Sequence, residues 1–121
     1  MVKKHVLIVD DSPTERQFAT TILQKAGYAV TTASDGEDGI EKATAERPHV
    51  VVLDIILPRM NGYQVLRHLK SATETREIKV ILVSSKSQES DRFWGYKQGA
   101  DDYMAKPYPE QALLAAVARH F

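Results

Sequence analysis

The stretch VLIVDDSPTE, residues 6–15, joins an apolar run, two acids and the start of a helix without a gap. Its last four letters have the pattern of a capping box with proline at the first helical position. Similar apolar runs follow at 50–53, at 80–83 and, in shorter form, at 103–105. Continuous runs of Val, Ile and Leu are typical of strands covered on both faces, so these runs predict a parallel sheet between layers of helices.

Segments of helical length alternate with the apolar runs. Capping residues, glycines and prolines predict helices at about 13–26, 36–46, 63–70, 88–98 and 109 to the C-terminus. A further, weaker strand is predicted at 29–33, and the strand that contains the run at 80–83 is predicted to span 78–83. Five βα units joined by right-handed crossovers form an α/β fold with helices on both faces of one sheet. The length of 121 residues fits a single domain over 1–121.

The composition excludes several kinds of partner and chemistry. Sixteen basic and sixteen acidic residues give a net charge of zero, so the overall charge does not favour nucleic acid or an anionic membrane. The apolar run before Asp10 is too short for a signal peptide or a membrane span, which favours a cytoplasmic protein without membrane insertion. The absence of cysteine excludes disulfides and thiolate chemistry.

Five polar side chains follow the apolar runs at their C-terminal ends. They are Asp10, Asp11, Asp54, Ser84 and Lys106. The carboxyl ends of parallel strands meet along one edge of the sheet, where ligands of such sheets bind, so we expect these side chains to converge. Three neighbouring carboxylates raise one another's pKa unless a cation lies among them, and hard oxygen ligands suit Mg²⁺. The sequence therefore predicts a magnesium site.

Asp54 is the predicted nucleophile of this set. It stands alone at the end of its strand, whereas Asp10 and Asp11 are adjacent and suited to holding the metal. Attack of its carboxylate on phosphorus would give an acyl phosphate. Lys106 adds a positive charge and Ser84 a hydroxyl donor, which together with the metal neutralise the oxygens of a phosphoryl group. The set predicts a site that takes up a phosphoryl group.

The whole chain resembles response-regulator receiver domains. The matching motifs are IVDDS at 8–12, LDIILP at 53–58, NG at 61–62, VSS at 83–85 and GADDYMAKP at 99–107. The resemblance implies a flavodoxin-like sheet of order 2-1-3-4-5. It also implies that Asp54 takes phosphate from a phosphohistidine on a sensor histidine kinase or phosphotransfer protein. The backbone carbonyl of Ile56 would help to hold Mg²⁺, and the peptide bond between Lys106 and Pro107 would be cis.

Within this family the chain looks most similar to stand-alone regulators of type IV pilus motility, of the twitching or phototaxis kind. DSPTE at 11–15 and WGYKQGA at 94–100 carry that similarity. The implied function is that of a CheY-like response regulator in a two-component phosphorelay. Such a phosphoprotein acts in chemosensory or pilus-motility signalling through a downstream motility protein. We expect a monomer or weak dimer that catalyses only its own phosphorylation and dephosphorylation.

The resemblance also implies a switch between two arrangements of side chains. When the phosphoryl group arrives, Ser84 swings inward to donate to it, and the Tyr103 ring turns from outside into the space that Ser84 leaves. In receivers the fourth helix, the fifth strand and the last helix form the output face. Arg92, Tyr96 and Tyr103 are therefore the candidate partner contacts.

Phe93, Trp94 and Tyr96 crowd the helix predicted at 88–98, which also contains Gly95. A glycine inside a helix costs about 1 kcal/mol relative to alanine, so a tertiary contact must compensate for it. We expect Phe93 to pack in the core and Gly95 to let the helix approach the sheet. Exposed aromatic side chains are enriched at contact surfaces, which favours contact of Trp94 and Tyr96 with a partner protein.

Two other functions stay open at this point. An aspartate-nucleophile phosphatase or phosphotransferase acting on small molecules usually needs a second acid two residues after the nucleophile, where this chain has Ile56. A degenerate receiver that serves only as a protein-binding scaffold would lack one of the five site residues, and none is lost.

Ile56 and Lys86 occupy positions that vary among receivers. Because the apolar Ile56 cannot orient an attacking water, we expect slow hydrolysis of the acyl phosphate.

Overall fold

Within the part of the chain that the structure describes, the fold is a parallel sheet of five strands in the order β2-β1-β3-β4-β5, with five helices. The computed structural model describes residues 3–86 and 88–121. The elements alternate along the chain as β1 His5–Val9, α1 Pro13–Lys25, β2 Ala29–Ala33, α2 Gly36–Glu46, β3 Val50–Asp54, α3 Gly62–Ser71, β4 Lys79–Ser84, α4 Glu89–Lys97, β5 Asp102–Ala105 and α5 Glu110–Ala118. The predicted fold and strand order are confirmed, and each element begins within one residue of its predicted start.

Helices cover both faces of the sheet, as the apolar runs predict. Successive strand side chains point to opposite faces, so alternate residues enter two separate cores. One core packs the sheet against α2 and α3 through buried residues such as Leu53 and Leu66. The other packs it against α1 and α5 through residues such as Ile81 and Leu113. The central strand β3 is buried at every position because both cores meet it.

The register of the strands brings their C-terminal ends to one edge of the sheet. Val9 of β1 lies beside Leu53 of β3. The next residue of β3, Asp54, lies beside Val83 of β4. Asp10 follows β1 directly, so its carboxylate and that of Asp54 belong to neighbouring strand ends. The loops after β4 and β5 open on the same edge.

The helices α1 and α3 begin with the same kind of motif but form it differently. In α3 the side chain of Asn61 accepts from the Gln64 N–H at 3.1 Å, and the side chain of Gln64 accepts from the Asn61 N–H at 2.9 Å. In α1 the hydroxyl of Ser12 accepts from the Glu15 N–H at 3.3 Å. The Ser12 N–H, however, donates to Oδ1 of Asp10 at 2.9 Å. The predicted box of α1 is therefore half formed, and the Glu15 carboxylate is free to bind elsewhere.

The helix α4 packs on the sheet through Gly95, and the prediction that Phe93 packs in the core is wrong. Of the residues of α4, which the structure describes throughout, Gly95 alone is buried. A Cβ atom there would lie 2.9 Å from Cδ2 of Tyr103. Helical residues are about 100° apart, so Phe93 faces away from the sheet, with 66% of its surface exposed. Phe93, Trp94 and Tyr96 are all exposed, and we call them the aromatic surface.

Candidate functional site

A cleft of about 430 Å³ opens at the C-terminal edge of the sheet. Its walls come from the loops that follow β1, β3, β4 and β5 and from the first turn of α1. The lining residues are Asp11, Glu15, Asp54, Ile56, Ser85, Lys106 and Pro107. We call this the acidic cleft, because acids predominate among its charged residues. It is where the sequence predicts that the site residues converge.

The ammonium group of Lys106 is the centre of the acidic cleft. Its Nζ lies 3.1 Å from Oδ2 of Asp10, 2.8 Å from Oε2 of Glu15 and 2.9 Å from Oδ2 of Asp54. An ammonium group has three N–H donors, so each can serve one carboxylate. Burial opposes the charge of Lys106, but the hydrogen bonds to Glu15, Asp54 and Asp10 outweigh burial and raise its pKa. Lys106 is therefore charged and held over Asp54.

Asp54 is a buried carboxylate at the end of β3, with 6% of its surface exposed. Its Oδ1 accepts from the Ile56 N–H at 3.2 Å, and its Oδ2 accepts from Lys106. Burial raises the pKa of Asp54 above its usual value of 3.8, although the hydrogen bond from Lys106 works in the opposite direction. The neighbouring Asp10 raises it further by charge repulsion.

Asp10, Glu15 and Asp54 form the acidic group that the structure brings together. Among the described residues, one carboxylate oxygen from each of the three lies within 4.8 Å of the others. Carboxylate oxygens are ligands that Mg²⁺ prefers, so these residues fit such an ion. Asp11, predicted as a metal ligand, is exposed on the wall of the cleft and lies outside this group.

Glu15 is the site residue that the sequence reasoning missed. Its place three residues after Ser12 assigned it to a capping box, whose acid normally reaches back to the helix start. Asp10 takes the Ser12 N–H instead, so the Glu15 carboxylate reaches Lys106. A signal was present in the sequence, because a helix that begins only four residues after the end of its strand, at Pro13 after Val9, carries its first turn to the sheet edge.

Ser84, Lys86 and Tyr103 meet beside the acidic cleft in a second cavity of about 360 Å³, which Trp94 also lines. Ser84 is buried, and its Oγ accepts from the Lys86 N–H at 3.1 Å. Tyr103 is only 4% exposed, and its hydroxyl donates to the Lys86 carbonyl. The expectation that the Tyr103 ring starts outside is therefore not met, because its ring already fills the inner position. For the same reason Tyr103 is not an exposed partner contact.

The other two predicted partner contacts frame Tyr103. The Arg92 guanidinium lies over the Tyr103 ring, 5.3 Å from its centroid, and donates to the Tyr103 carbonyl at 3.1 Å. Arg92 is half-buried, whereas Tyr96 is exposed. The Tyr96 hydroxyl donates to Oδ1 of Asp102 at 3.4 Å. Of the three candidates, Tyr96 offers the most surface to a partner.

Two further observations bear on the sequence predictions. The peptide bond between Lys106 and Pro107 is cis, as the resemblance implies. Across residues 3–86 and 88–121, every helix falls short of the length and apolar character that crossing a membrane requires. The cis bond agrees with the expectation for the Lys106 loop.

Comparisons with known proteins place these features in a family context. The response regulator receiver domain family matches residues 6–118. Protein PilH of Pseudomonas aeruginosa is 47% identical over 112 residues, which cover 93% of this chain and 93% of PilH. The chemotaxis response regulator CheY4 of Vibrio cholerae superposes with a TM-score of 0.93 at 28% identity, over 99% of this chain and 100% of CheY4. These similarities confirm the resemblance predicted from the sequence.

One solved structure of the family contains a metal. It is the receiver domain of a sensor histidine kinase from Pseudomonas aeruginosa PAO1, with a magnesium ion coordinated in its active-site cleft. It superposes on this chain with a TM-score of 0.90 at 26% identity, and the match covers 98% of each chain.

Proposed function

The chain belongs to the response regulator receiver family, and from this membership we propose that Asp54 accepts a phosphoryl group from a phosphohistidine of a sensor kinase or phosphotransfer protein. The position of Asp54 carries the proposal. Its carboxylate lies at a strand end on the wall of the acidic cleft, 2.9 Å from the Lys106 ammonium. A buried carboxylate with a fixed cation beside it suits nucleophilic attack on an anionic group.

The proposed step is a transfer from nitrogen to oxygen. A carboxylate oxygen of Asp54 forms a bond to phosphorus as the bond between phosphorus and the imidazole nitrogen breaks, and that nitrogen keeps the electron pair. Lys106 is placed to donate to a phosphoryl oxygen, since its Nζ already reaches both Asp10 and Asp54. A bound Mg²⁺ would neutralise charge on the phosphoryl oxygens, held by Asp10, Asp54 and the Ile56 carbonyl, with Asp11 at the rim.

The proposed response to phosphorylation is a shift between arrangements already available to the protein. Asp54 lies beside Val83 across the β3–β4 pairing, and Ser84, the next residue of β4, can turn toward a phosphoryl oxygen. Tyr103 is already inside, bonded to the Lys86 carbonyl. The phosphoryl group would therefore stabilise this inner position of the ring over an outer one, because the ring can occupy the space that Ser84 leaves when it turns toward the phosphoryl oxygen.

We further propose that the protein is a stand-alone regulator in pilus-motility signalling, in line with its similarity to PilH. It would act in the cytoplasm, as a monomer or weak dimer, on a downstream motility protein that contacts the region of Tyr96. Turnover of small phosphorylated molecules is disfavoured because Ile56, which is exposed at the cleft, has no acid to protonate a leaving group. The same apolar side chain supports slow loss of the phosphoryl group.

The test is phosphorylation in solution. The protein is incubated with Mg²⁺ and acetyl phosphate, and its intact mass is measured. The wild type and an Asp38→Asn variant should gain the mass of one phosphoryl group, whereas Asp54→Asn should not. Asp38 is the matched control because it is an acid on α2 that pairs with Lys42, away from the cleft.

A second readout uses the beryllofluoride mimic and the fluorescence of Trp94, which lines the cavity of Ser84 and Tyr103. The wild type should respond to the mimic in the presence of Mg²⁺. A wild type with unchanged mass and no response would contradict the proposal and favour the scaffold function. Fast repeated turnover of acetyl phosphate by the wild type, with no phosphoryl group accumulating on the protein, would favour the phosphatase function.

A further inference from the structure

The Glu15 carboxylate has no part in the transfer step proposed above, yet it contacts Lys106, the central cation of the cleft. Glu15 is the third residue of α1, and its Oε2 lies 2.8 Å from Nζ of Lys106. The helix start does not need this carboxylate, because the Ser12 N–H donates to Asp10. Its contact with Lys106 is therefore not a by-product of helix capping.

Lys106 has no donor to spare for an incoming phosphoryl group. Its three N–H groups face three carboxylates, one each from Asp10, Glu15 and Asp54. A phosphoryl oxygen that accepts from Lys106 must therefore displace one of the three. Which carboxylate leaves depends on what each loses when its hydrogen bond is broken.

Of the three carboxylates, Glu15 loses the least free energy when its hydrogen bond to Lys106 is broken. The side chains of Asp10 and Asp54 are 10% and 7% exposed, so either would be left as a buried charge without its partner. The Glu15 side chain is 47% exposed at the mouth of the cleft, where water can replace the ammonium. Solvent screens an ion pair on its exposed side, so this exchange is the easiest of the three.

We propose that Glu15 is a positioning residue that holds the Lys106 ammonium over Asp54 between transfers and gives it up to the phosphoryl group. This inference rests on the proposed function of Asp54. Glu15 thereby competes with the tetrahedral anion for Lys106. It also adds a negative charge to the group of Asp10 and Asp54, which favours a divalent cation. Its removal should strengthen binding of the anion and weaken binding of the cation.

The test compares two ligands on the full chain. Mg²⁺ alone is titrated by calorimetry, and beryllofluoride is titrated in saturating Mg²⁺ by the fluorescence of Trp94. We expect Glu15→Gln to bind beryllofluoride about two- to fivefold more tightly and Mg²⁺ more weakly by a similar factor. Glu37→Gln makes the same change in the exposed first turn of α2 and should leave both affinities unchanged.

A charge-conserving variant separates the contact from the charge. Glu15→Asp keeps the negative charge but shortens the side chain by one methylene, which withdraws it from Lys106. It should bind beryllofluoride more tightly, as Glu15→Gln does, and bind Mg²⁺ as the wild type does. Urea unfolding of all variants shows whether they are equally stable, since a purely structural role would lower stability without opposite changes in the two affinities.

The outcomes for the inference and for the proposed function differ. Equal affinities of wild type and Glu15→Gln for both ligands, or weaker beryllofluoride binding by the variant, would overturn the role of Glu15 alone. A wild type that does not bind beryllofluoride in Mg²⁺ would overturn the function of Asp54 and this inference with it.

Discussion

The N-termini of α1 and α3 both border Asp54, but they act on different parts of it. At α3 the first helical residue, Gly62, presses against the backbone: a Cβ atom there would lie 2.4 Å from the Asp54 carbonyl oxygen. At α1 the first residue, Pro13, is exposed, and the third, Glu15, reaches the ammonium that holds the Asp54 carboxylate. The start of α3 therefore supports the backbone at the end of β3, and the start of α1 acts on the cation that holds the Asp54 carboxylate.

The difference shows that one sequence motif has two uses, decided by its neighbours. The α3 motif is closed on itself, so its side chains serve the helix. The α1 motif is opened by Asp10, which follows β1 so closely that it takes the N–H of Ser12. We expect substitutions at the α3 end to change stability and those at the α1 end to change ligand affinity.

The largest effect is expected for Gly62→Ala. The added methyl group meets backbone atoms of Asp54 and Ile55 at 2.4 and 2.7 Å, which no side-chain rotation can relieve. Overpacking of this kind costs about 3 kcal/mol of unfolding free energy, measured by urea denaturation. Pro13→Ala, at the same position of α1, should cost far less. Equal losses in the two variants would show that the α3 end is not the rigid one.

An intermediate effect is expected for Asp54→Asn, which removes the charge and keeps the backbone contact of α3. Burial raises the pKa of Asp54 above 3.8, so the folded state holds this proton more tightly than the unfolded state does. Ionisation of Asp54 therefore destabilises the folded state. The contribution of Asp54 to stability is complete below about pH 4 and is lost as the pH rises through the raised pKa. At pH 7 the variant should therefore be more stable than the wild type.

The measurement is urea unfolding of both proteins from pH 4 to pH 7 in a chelator, so that no divalent cation binds the acids. The difference in stability should shrink toward pH 4. A difference that is constant across this range, or that favours the wild type at pH 7, would show that Lys106 fully offsets the burial of the Asp54 charge.

The smallest effect is expected from the caps themselves. Asn61→Ala breaks a complete box and should cost about 1 kcal/mol of unfolding free energy, whereas Ser12→Ala removes one long hydrogen bond and should cost about half of that. Thermal or urea unfolding can rank the two variants. A larger loss for Ser12→Ala would mean that α1 depends on its cap as much as α3 does.

Most of the fold follows from local signals in the sequence. The continuous apolar run at 50–53 predicts a strand with two covered faces, and the caps and glycines locate the helix ends. The family motifs give the strand order. The residues predicted to meet at the sheet edge do so for Asp10, Asp54 and Lys106, because the register of a parallel sheet leaves the loops no other place to open.

The parts that could not be predicted depend on competition between neighbours. Glu15 had two possible partners, and only the three-dimensional position of Asp10 decides between them. Hydrophobicity alone predicts a core position for Phe93, but the burial of Gly95 turns Phe93 outward. The inner position of Tyr103 is set by the Lys86 carbonyl, which no periodicity in the sequence reports.

The contact at Gly95 has a consequence for the outline of the molecule. A Cβ atom at Gly95 would lie 2.9 Å from Cδ2 and 3.2 Å from Cε2 of Tyr103, so a hydrogen atom is all that fits between the backbone of α4 and the ring at this point. The ring thus limits how closely the helix approaches the sheet. Phe93 and Trp94 lie on that helix and are exposed. Tyr103 is buried, yet it helps to set the position of the surface that these two side chains offer to a partner.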